Sequence, residues 1–554
     1  MVIRCPYPTI NIPELDVLTY LFGDGEDLSE EPLWVNAADS SKYLSARTGL
    51  QWIKRLAIGL DKLGVKKGEV VMIVTPNTIF VPIAYLGVVG SGRIFTGVNP
   101  LYTADEIAYQ MKDTGARVAL VHPSLLETAR KGAKKAGLPE SCLYLFSDTE
   151  HKSIDGIKDW RSMLGTPSEA SSYTWPHLEG EAAKSQVATV NYSSGTTGLP
   201  KGVMITHGNL IANVEQVSFL HQVEQPGIKP DVEDRWIGFL PLYHAYGQLN
   251  VCLIAAKVLI PVYIMSKFVY EDFLSTIQTH KITELHVAPP ILVLMNKHPL
   301  TPKYDISSVT KIGSGAAPLS RSLQNDCRDK FNTNIGQGWG MTELTCAGCS
   351  VPGGLKDETG SIGCLLPNSE AKLLDENGNE VATGERGEIY FRGPNVSPGY
   401  WKNEKATRET MLEGGWLRTG DIGVTDERSW FWIVDRLKEL IKVSGLQVAP
   451  AELEALLLTH PSIADAGVVA VSDSFDGQER PRAYVVPKSL DKDNPGVSEE
   501  EIVEWMKGKV ARYKWLTGGV GFVNEVPKSA AGKIQRKVMR EWAKRDGKGG
   551  RPML

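Results

Sequence analysis

Short apolar runs alternate with helix-like segments through the first half of this chain, and this alternation restricts the folds open to it. Val70–Val74 is a β-branched run, residues 80–89 have helical character, and residues 117–121 form the next run. Between them, Thr103 and Glu106 form a capping-box pattern that opens another helix. Strands that alternate with helices form parallel, doubly wound α/β sheets, which bind ligands at the carboxyl ends of their strands. The same alternation continues later in the chain, with strand-like runs at residues 284–288, 311–313 and 334–337.

The sequence pattern changes from about Gly360. Short strand-like runs and turn residues there predict a small antiparallel β unit over residues 371–391. Beyond Asp435, a helix at 450–458 and strand-like runs predict an α+β unit. Ile534, Val538 and Trp542 have the spacing of one face of a final helix. We therefore expect one domain at residues 1–435 and a second at residues 436–554.

Composition excludes several classes of protein. The 554 residues suffice for three to four domains, and a net charge of −5 gives no reason to expect a nucleic-acid partner. Seven cysteines, an odd number, do not make a disulfide framework and suit a reducing compartment. The longest apolar stretch, residues 251–265, is too short to span a membrane and contains Lys257 and Pro261. We expect an intracellular, cytoplasmic protein; residues 551–554 only loosely resemble a peroxisomal address, which leaves the peroxisome as the alternative.

A glycine- and hydroxyl-rich loop, Tyr-Ser-Ser-Gly-Thr-Thr-Gly-Leu-Pro-Lys-Gly at residues 192–202, follows a β-like run. Its glycines let backbone N–H groups point inward, its hydroxyls add donors, and its lysine adds positive charge, as phosphate binding requires. The alternative is a solvent-exposed turn, because such clusters are often plain loops. It is not a Walker A loop. The phosphate-binding candidates are Ser193, Ser194, Gly195, Thr196, Thr197, Gly198 and Lys201.

This loop closely resembles the phosphate-binding signature of the acyl-adenylate-forming superfamily, and the resemblance extends in order and spacing over essentially the whole chain. Within the superfamily the chain looks most like the 4-coumarate–CoA ligase group. The resemblance implies an N-terminal domain of two doubly wound sheets with a small β unit, and a smaller, mobile α+β C-terminal domain. It also implies an enzyme that uses ATP and Mg²⁺ to convert a carboxylic acid into acyl-AMP, and then transfers the acyl group to coenzyme A.

The segment 337–343, Gln-Gly-Trp-Gly-Met-Thr-Glu, has glycines that permit close approach, an aromatic ring that can stack on adenine, and in Glu343 a carboxylate suited to Mg²⁺. The family usually has tyrosine where Trp339 stands. The resemblance places adenine along Gly315 to Ala317 and the ribose on Asp421 and Arg436. The further nucleotide-binding candidates implied are Ala316, Gln337, Gly338, Gly340, Met341, Thr342 and Ile433.

The resemblance assigns His244 and Tyr246 to the acid pocket. Residues 344–347 are Leu-Thr-Cys-Ala where the plant enzymes show Ala-Gly-Pro-Val, so the expected acid is an aryl-alkanoic, hydroxycinnamic or medium-chain fatty acid. Cys346 and Cys349 lack the second pair that a structural zinc site requires. The other acid-binding candidates are Ala245, Leu249, Gly313, Gly338, Gly340, Cys346, Ala347, Lys438 and Gln447.

The last motif, Pro-Lys-Ser-Ala-Ala-Gly-Lys-Ile at residues 527–534, contains Lys533, which matches the family's catalytic lysine. The resemblance makes Lys438 the hinge, and Lys442, Ser444, Gly445 and Gln447 the face that meets the intermediate during thioester formation. Lys267 matches a CoA-phosphate contact. The expected catalytic residues are Lys533, Lys442, His244 and Thr342.

Three alternative functions share these motifs in part. A luciferase-like oxygenase has the same adenylation half. A peptide-synthetase adenylation domain would need a carrier domain, for which the 21 residues after Lys533 are too few, and a pocket acid for an α-amine. A nucleotide-binding protein without activity would be expected to lack Lys533 or Glu343.

Overall fold

The structure is a computed structural model that describes residues 2–193, 200–223, 234–443, 446–472, 479–489, 496–529 and 532–546. No helix within these ranges is long and apolar enough to cross a membrane. The apolar stretch at 251–265 instead folds into the end of a π-helical segment, a short helix and the strand Val262–Ile264, largely buried as predicted. The helices are Val17–Phe22, Ala46–Lys62, Val81–Gly90, Ala104–Thr114, Leu126–Ala136, Pro167–Ser172, Glu181–Ser185, His207–Gln222, Ala245–Gly247, Gln248–Ile254 (π), Ala255–Val258, Tyr270–His280, Pro289–Lys297, Arg321–Phe331, Glu404–Thr410, Pro450–Leu457, Glu499–Lys507 and Arg536–Asp546.

The predicted doubly wound arrangement is confirmed by a first, seven-stranded sheet whose central strands are parallel. Its strands lie in the order Gly399–Tyr400, Lys201–Thr206, Val187–Ser193, Ile94–Val98, Val70–Val74, Val118–Val121 and Leu143–Leu145. The helix Ala104–Thr114 between two of these strands begins with the predicted capping box. Thr103 Oγ1 accepts from the Glu106 amide at 3.4 Å, and Glu106 Oε2 accepts from the Thr103 amide at 2.7 Å.

A second sheet has nine strands and carries most of the candidate site. Its order is Cys364–Leu365, Cys349–Ser350, Asn334–Trp339, Lys311–Ser314, Glu284–Val287, Trp236–Gly238, Val262–Ile264, Pro32–Asn36 and Tyr43–Ser45. The six strands from Asn334–Trp339 to Pro32–Asn36 are parallel, so their carboxyl ends meet at one edge.

The predicted small β unit is an antiparallel sheet, completed by the N-terminal strand Ile3–Arg4. Its other strands are Glu370–Leu374, Gly387–Arg392, Trp416–Thr425, Met411–Leu412 and Phe431–Arg436. A two-stranded sheet pairs Ser153–Ile154 with Ile157–Lys158.

The C-terminal part is α+β, as predicted. It contains the pair Ile441–Val443 and Leu446–Val448, and a three-stranded sheet of Ile463–Ser472, Glu479–Pro487 and Val520–Phe522. Three helices pack with these strands around their own apolar core. The expected helical position of Ile534 is wrong, because Ile534 pairs with Lys528 in a backbone bridge and the helix begins only at Arg536.

Candidate active site

A cavity of about 180 Å³ opens at the carboxyl ends of the strands Lys311–Ser314 and Asn334–Trp339. One wall comes from the helical segment after His244, and Lys533 reaches in from the C-terminal part. The structure therefore brings together candidates from four distant stretches of sequence. Those that line the cavity are His244, Ala245, Tyr246, Leu249, Gly313, Gly315, Ala316, Gln337, Gly338, Trp339, Gly340, Met341, Thr342, Cys346, Ala347 and Lys533.

Two backbone features, at Gly340 and at Ala316, shape the wall of this cavity. A Cβ at Gly340 would lie 1.8 Å from the carbonyl oxygen of Cys346, so no other residue fits there. Ala316 has a φ of +70°, a left-handed conformation that is rare for a residue with a side chain. Strained backbone of this kind occurs often at binding sites, and here it turns the chain out of the strand Lys311–Ser314 beside the cavity.

Trp339, Asp421 and Arg436 form one hydrogen-bonded unit. Asp421 and Arg436 face each other on neighbouring antiparallel strands, with Arg436 Nε 3.2 Å from Asp421 Oδ1. Trp339 Nε1 donates to the other oxygen, Asp421 Oδ2, at 2.8 Å. The carboxylate beside it raises the pKa of Arg436. Ile433, from the same strand as Arg436, packs in the apolar cluster around Trp339.

Glu343 is buried at the start of a short 3₁₀ turn, and Tyr400 holds its carboxylate in place. The Tyr400 hydroxyl donates to Glu343 Oε1 at 2.7 Å, and Lys201 Nζ lies 4.8 Å from the centre of the Tyr400 ring. Burial and the adjacent carboxylate raise the pKa of Tyr400. Ser193 pairs with Lys201 across the strands that flank the glycine-rich loop. The predicted phosphate contacts Ser194, Gly195, Thr196, Thr197 and Gly198 lie outside the described residues.

Glu343 meets the requirements of a magnesium ligand. Among the described residues no cluster of three or more His, Cys, Asp or Glu is placed to bind a metal. Mg²⁺ in nucleotide enzymes is held by one or two carboxylates together with substrate phosphates, so the one carboxylate that Tyr400 fixes is enough for such a site.

The part of the cavity beside His244, Tyr246 and Cys346 is uncharged. Burial lowers the pKa of His244 to about 3, with Lys533 adding to the effect, so the imidazole is neutral at physiological pH. His244 Nδ1 accepts from the Tyr246 amide at 3.3 Å, and the Tyr246 hydroxyl donates to the Gly313 carbonyl at 3.2 Å. Burial likewise raises the pKa of Cys346 to about 12, which keeps the thiol protonated.

Lys533 reaches the cavity from a loop that packs on the N-terminal part. Gly532 has a φ of +77°, and a Cβ there would lie 3.0 Å from Ala288 Cβ, so the loop rests closely on the start of the helix Pro289–Lys297. The Ser529 hydroxyl accepts from the Lys533 amide at 3.2 Å. Burial, and then the charge of Arg436, lower the pKa of Lys533.

Four other candidates that the structure describes do not line the cavity: these are Lys438, Lys442, Gln447 and Lys267. Lys438 and Lys442 are exposed, and the Lys442 amide donates to Glu479 Oε2. Gln447 Nε2 donates to Glu376 Oε1 at 2.7 Å, in a turn of the small β unit. Lys267 is exposed beyond the strand Val262–Ile264. Ser444 and Gly445 lie outside the described residues.

Two nucleotide candidates have surroundings that the motif did not indicate. The Gln337 amide donates to Gln324 Oε1 at 2.7 Å and to the Leu319 carbonyl at 3.2 Å, so it ties the strand to its neighbouring helix. Ala317 follows Ala316 in the turn but does not line the described cavity.

Sequence reasoning missed two groups of residues. Tyr400 is 57 positions from Glu343, and nothing in the sequence connects them. One part of the cavity wall is formed by polar residues that no motif indicated. Its residues are His221, Glu284, His286, Lys311 and Asn334.

Comparison with known proteins agrees with this geometry. The family model "AMP-binding enzyme" matches residues 29–401, and "AMP-binding enzyme C-terminal domain" matches residues 452–533. The chain belongs to the AMP-binding enzyme family. It is 35% identical to phenylacetyl-CoA ligase epaB of Aspergillus niger, with 98% of each chain covered, and 36% identical to the probable 4-coumarate–CoA ligase 2 of Dictyostelium discoideum, with 97% and 96% covered.

The chain also resembles a solved structure over nearly its full length. The crystal structure of the anthranilate CoA ligase AuaEII in complex with anthranoyl-AMP superimposes with a TM-score of 0.83, at 24% identity, over 97% of this chain and 99% of that one. At this identity the likeness concerns the fold. It confirms the expected architecture of a large N-terminal α/β part followed by a smaller α+β part.

Proposed function

We propose that this chain is an AMP-forming acid–thiol ligase: it uses ATP to activate a carboxylic acid as acyl-AMP, releases pyrophosphate, and transfers the acyl group to the thiol of coenzyme A. Family membership and similarity to CoA ligases over nearly the full length support this. The observation that carries it is that Lys533, which lines the cavity, lies close enough to Glu343 and to the pair Asp421–Arg436 for their charges to act on it.

In the first step a carboxylate oxygen of the acid attacks the α-phosphorus and the P–O bond to pyrophosphate breaks. The developing charge lies on phosphoryl oxygens, so preorganised cations and N–H donors lower the barrier. We assign Lys533 to the carboxylate and α-phosphate oxygens, and Thr342, Lys201 and the glycine-rich loop to the phosphates. Asp421 and Arg436 would hold the ribose hydroxyls, and Ala316 would lie against the adenine.

Glu343 would hold Mg²⁺ together with the phosphates of ATP. When bound, the metal neutralises phosphate charge and polarises the phosphoryl oxygens. Tyr400 contributes by fixing one oxygen of the Glu343 carboxylate, which leaves Oε2 free of any hydrogen bond from the described residues.

In the second step the CoA sulfur attacks the acyl carbon, AMP leaves, and the thiol proton is released. Lys533 occupies the cavity in this structure, whereas Lys442 and Gln447 lie outside it. We infer that the C-terminal domain, residues 436–554, rotates on the N-terminal domain, residues 1–435, about a hinge at Lys438. The rotation would withdraw Lys533 and bring in Lys442, Ser444, Gly445 and Gln447, with Lys267 on a CoA phosphate.

The acid enters beside the neutral His244 and the ring of Tyr246, over a floor of small residues. This largely apolar lining supports an aryl-alkanoic, hydroxycinnamic or medium-chain fatty acid. All seven cysteines are free thiols, which supports a reducing compartment, and we propose the cytoplasm with the peroxisome as the alternative. Residues 551–554 lie outside the described part of the chain.

The test is pyrophosphate release from MgATP with a panel of arylacetic, cinnamic and C6–C16 fatty acids, each with and without CoA. Release that increases with CoA, with the acyl-CoA product verified by mass, is the expected result. Release without CoA dependence would mean that the adenylate passes to another acceptor, a carrier protein or oxygen, and would overturn the ligase.

A further inference from the structure

Glycines remove the side chains from one face of the nine-stranded sheet and open a channel along it. Gly313 and Gly336 lie side by side in register on neighbouring strands. Two residues further along the chain lie Gly315 and Gly338, which also line the cavity. A Cβ at Gly313 would meet nothing closer than 3.7 Å, so the space above it is open rather than filled by packing.

This channel reaches a row of polar residues, two of which, Lys311 and Asn334, also line a larger neighbouring cavity. Two residues before the glycines, Glu284, Lys311 and Asn334 lie in register on three adjacent strands. Since alternate residues of a strand share a face, this row faces the same side as the glycines. All three residues line the cavity.

Glu284 is ionised and already paired. His221 Nε2 lies 2.8 Å from Glu284 Oε2, and His286 Nε2 lies 3.5 Å from Oε1. Despite its burial, His221 and Lys311 lower the pKa of Glu284 to about 2, while the carboxylate raises the pKa of His221. Burial lowers the pKa of His286, which therefore remains neutral. The contact between His221 and Glu284 borders the channel end.

The other two residues of the row have bonding capacity to spare. Lys311 Nζ has no ion pair or hydrogen bond with any residue that the structure describes. Asn334 Oδ1 is buried and has no donor among those residues. Its orientation is fixed, because Asn334 Nδ2 donates to the Leu355 carbonyl at 3.0 Å. The channel end thus presents one half-buried donor, Lys311 Nζ, and one buried acceptor, Asn334 Oδ1, that is without a partner among the described residues.

The distance to this row sets the length of a fitting acid. Four residues separate Gly338 from Asn334, and a parallel strand rises by about 3.3 Å per residue, which gives about 13 Å. With C–C bonds of about 1.5 Å, an extended zigzag chain of about ten atoms covers this length.

We propose that the acid taken by this protein is a chain of about ten atoms that carries a hydroxyl group at the end opposite its carboxylate, and that this hydroxyl accepts from Lys311 and donates to Asn334 Oδ1. A hydroxyl both accepts and donates, which matches the two unused groups. A second carboxylate would lie beside the ionised Glu284 and offer no hydrogen to Asn334, and a methyl end would leave the buried Asn334 Oδ1 without a partner. The inference rests on the proposed ligase function.

The experiment compares kcat/KM for CoA thioester formation by the purified full-length protein with decanoate, 10-hydroxydecanoate and decanedioate. The expected result is a preference for 10-hydroxydecanoate of about tenfold or more over either of the others. Equal or better use of decanoate, or a preference for decanedioate, would overturn the proposal. If no acid of these or of the aryl panel yields pyrophosphate, the ligase function itself has failed.

A variant of Lys311 tests whether the preference for the hydroxylated acid arises at the channel end. Lys311→Met should reduce the ratio of kcat/KM for 10-hydroxydecanoate to that for decanoate by about tenfold. Lys303→Met, which removes an exposed lysine of the same domain, should leave that ratio as it is. An unchanged ratio in a folded Lys311→Met protein would contradict the assignment. The comparison of the three acids uses the unmodified protein, so it still tests the proposal if Lys311→Met fails to fold.

Discussion

Trp339 Nε1 donates a 2.8 Å hydrogen bond to Asp421 Oδ2, across 82 residues of sequence. The indole therefore has two functions in this site: its ring borders the cavity, and its N–H orients the carboxylate that we assign to the ribose. A tyrosine has no indole N–H to make this hydrogen bond, so the tryptophan is not a simple exchange of one aromatic plane for another.

Trp339→Phe should raise the KM for ATP by about tenfold. It keeps an aromatic plane but removes a hydrogen bond to a charged group, which is worth about 1.5–3 kcal/mol. The measurement is pyrophosphate release at varied ATP and saturating acid. A KM for the acid that rises as much as the KM for ATP would indicate general damage to the cavity rather than loss of the ribose contact.

Tyr400→Phe should raise the Mg²⁺ concentration needed for half-maximal adenylation by several-fold. The variant removes the hydroxyl that fixes Glu343 Oε1, so the carboxylate must be ordered when the metal binds. Titration of MgCl₂ at constant ATP measures the effect. Tyr43→Phe, at an exposed tyrosine, is the matched control. An unaltered Mg²⁺ dependence would show that Tyr400 does not position the metal ligand.

Gly313→Val should shorten the acid channel. The new side chain would project between His286 and Tyr246, whose nearest atoms lie 3.7 and 3.8 Å from the added Cβ, so the fold has room for it. We expect kcat/KM to fall more for decanoate than for hexanoate, by about tenfold in the ratio, as one blocked methylene position is worth 1–3 kcal/mol. Equal losses for both acids would mean that the chain does not run past Gly313.

Adenylation should lose activity at alkaline pH because Lys533 acts as a cation. Burial and the charge of Arg436 lower the pKa of Lys533, so the active protonated form is lost as the pH rises through this lowered value. The alkaline limb of kcat/KM for the first step reports the free protein. Arg436→Gln, although less active, should move this limb to higher pH, because it removes the neighbouring positive charge. If the alkaline limb of the profile stays at the same pH in Arg436→Gln, the group that titrates there is not Lys533.

The sequence was sufficient to predict features whose determinants are local. The alternation of strands and helices, the capping box at Thr103 and the turn-rich β unit all depend on neighbouring residues, and the structure has each of them. Asp421 and Arg436 are fifteen positions apart and could be paired from the family resemblance; the structure places them opposite each other on adjacent strands.

Contacts that depend on the packing of distant segments could not be predicted. Tyr400 reaches Glu343 only because the strand Gly399–Tyr400 joins the edge of the first sheet. Asn334 and Lys311 look like ordinary polar residues until strand register places them in one row below two glycines. The start of the last helix was misplaced because the bridge of Ile534 with Lys528 outweighs the helical spacing of the apolar residues.

In the proposed mechanism one site performs two half-reactions with different C-terminal lysines, and separate assays of the two steps test this exchange most directly. Lys533→Ala should lower acyl-AMP formation by about 10²–10³-fold, as for loss of a preorganised donor, while thioester formation from supplied acyl-AMP and CoA continues. Lys442→Ala should do the reverse. Equal damage to both half-reactions by either substitution would contradict the exchange of lysines and the rotation that it requires.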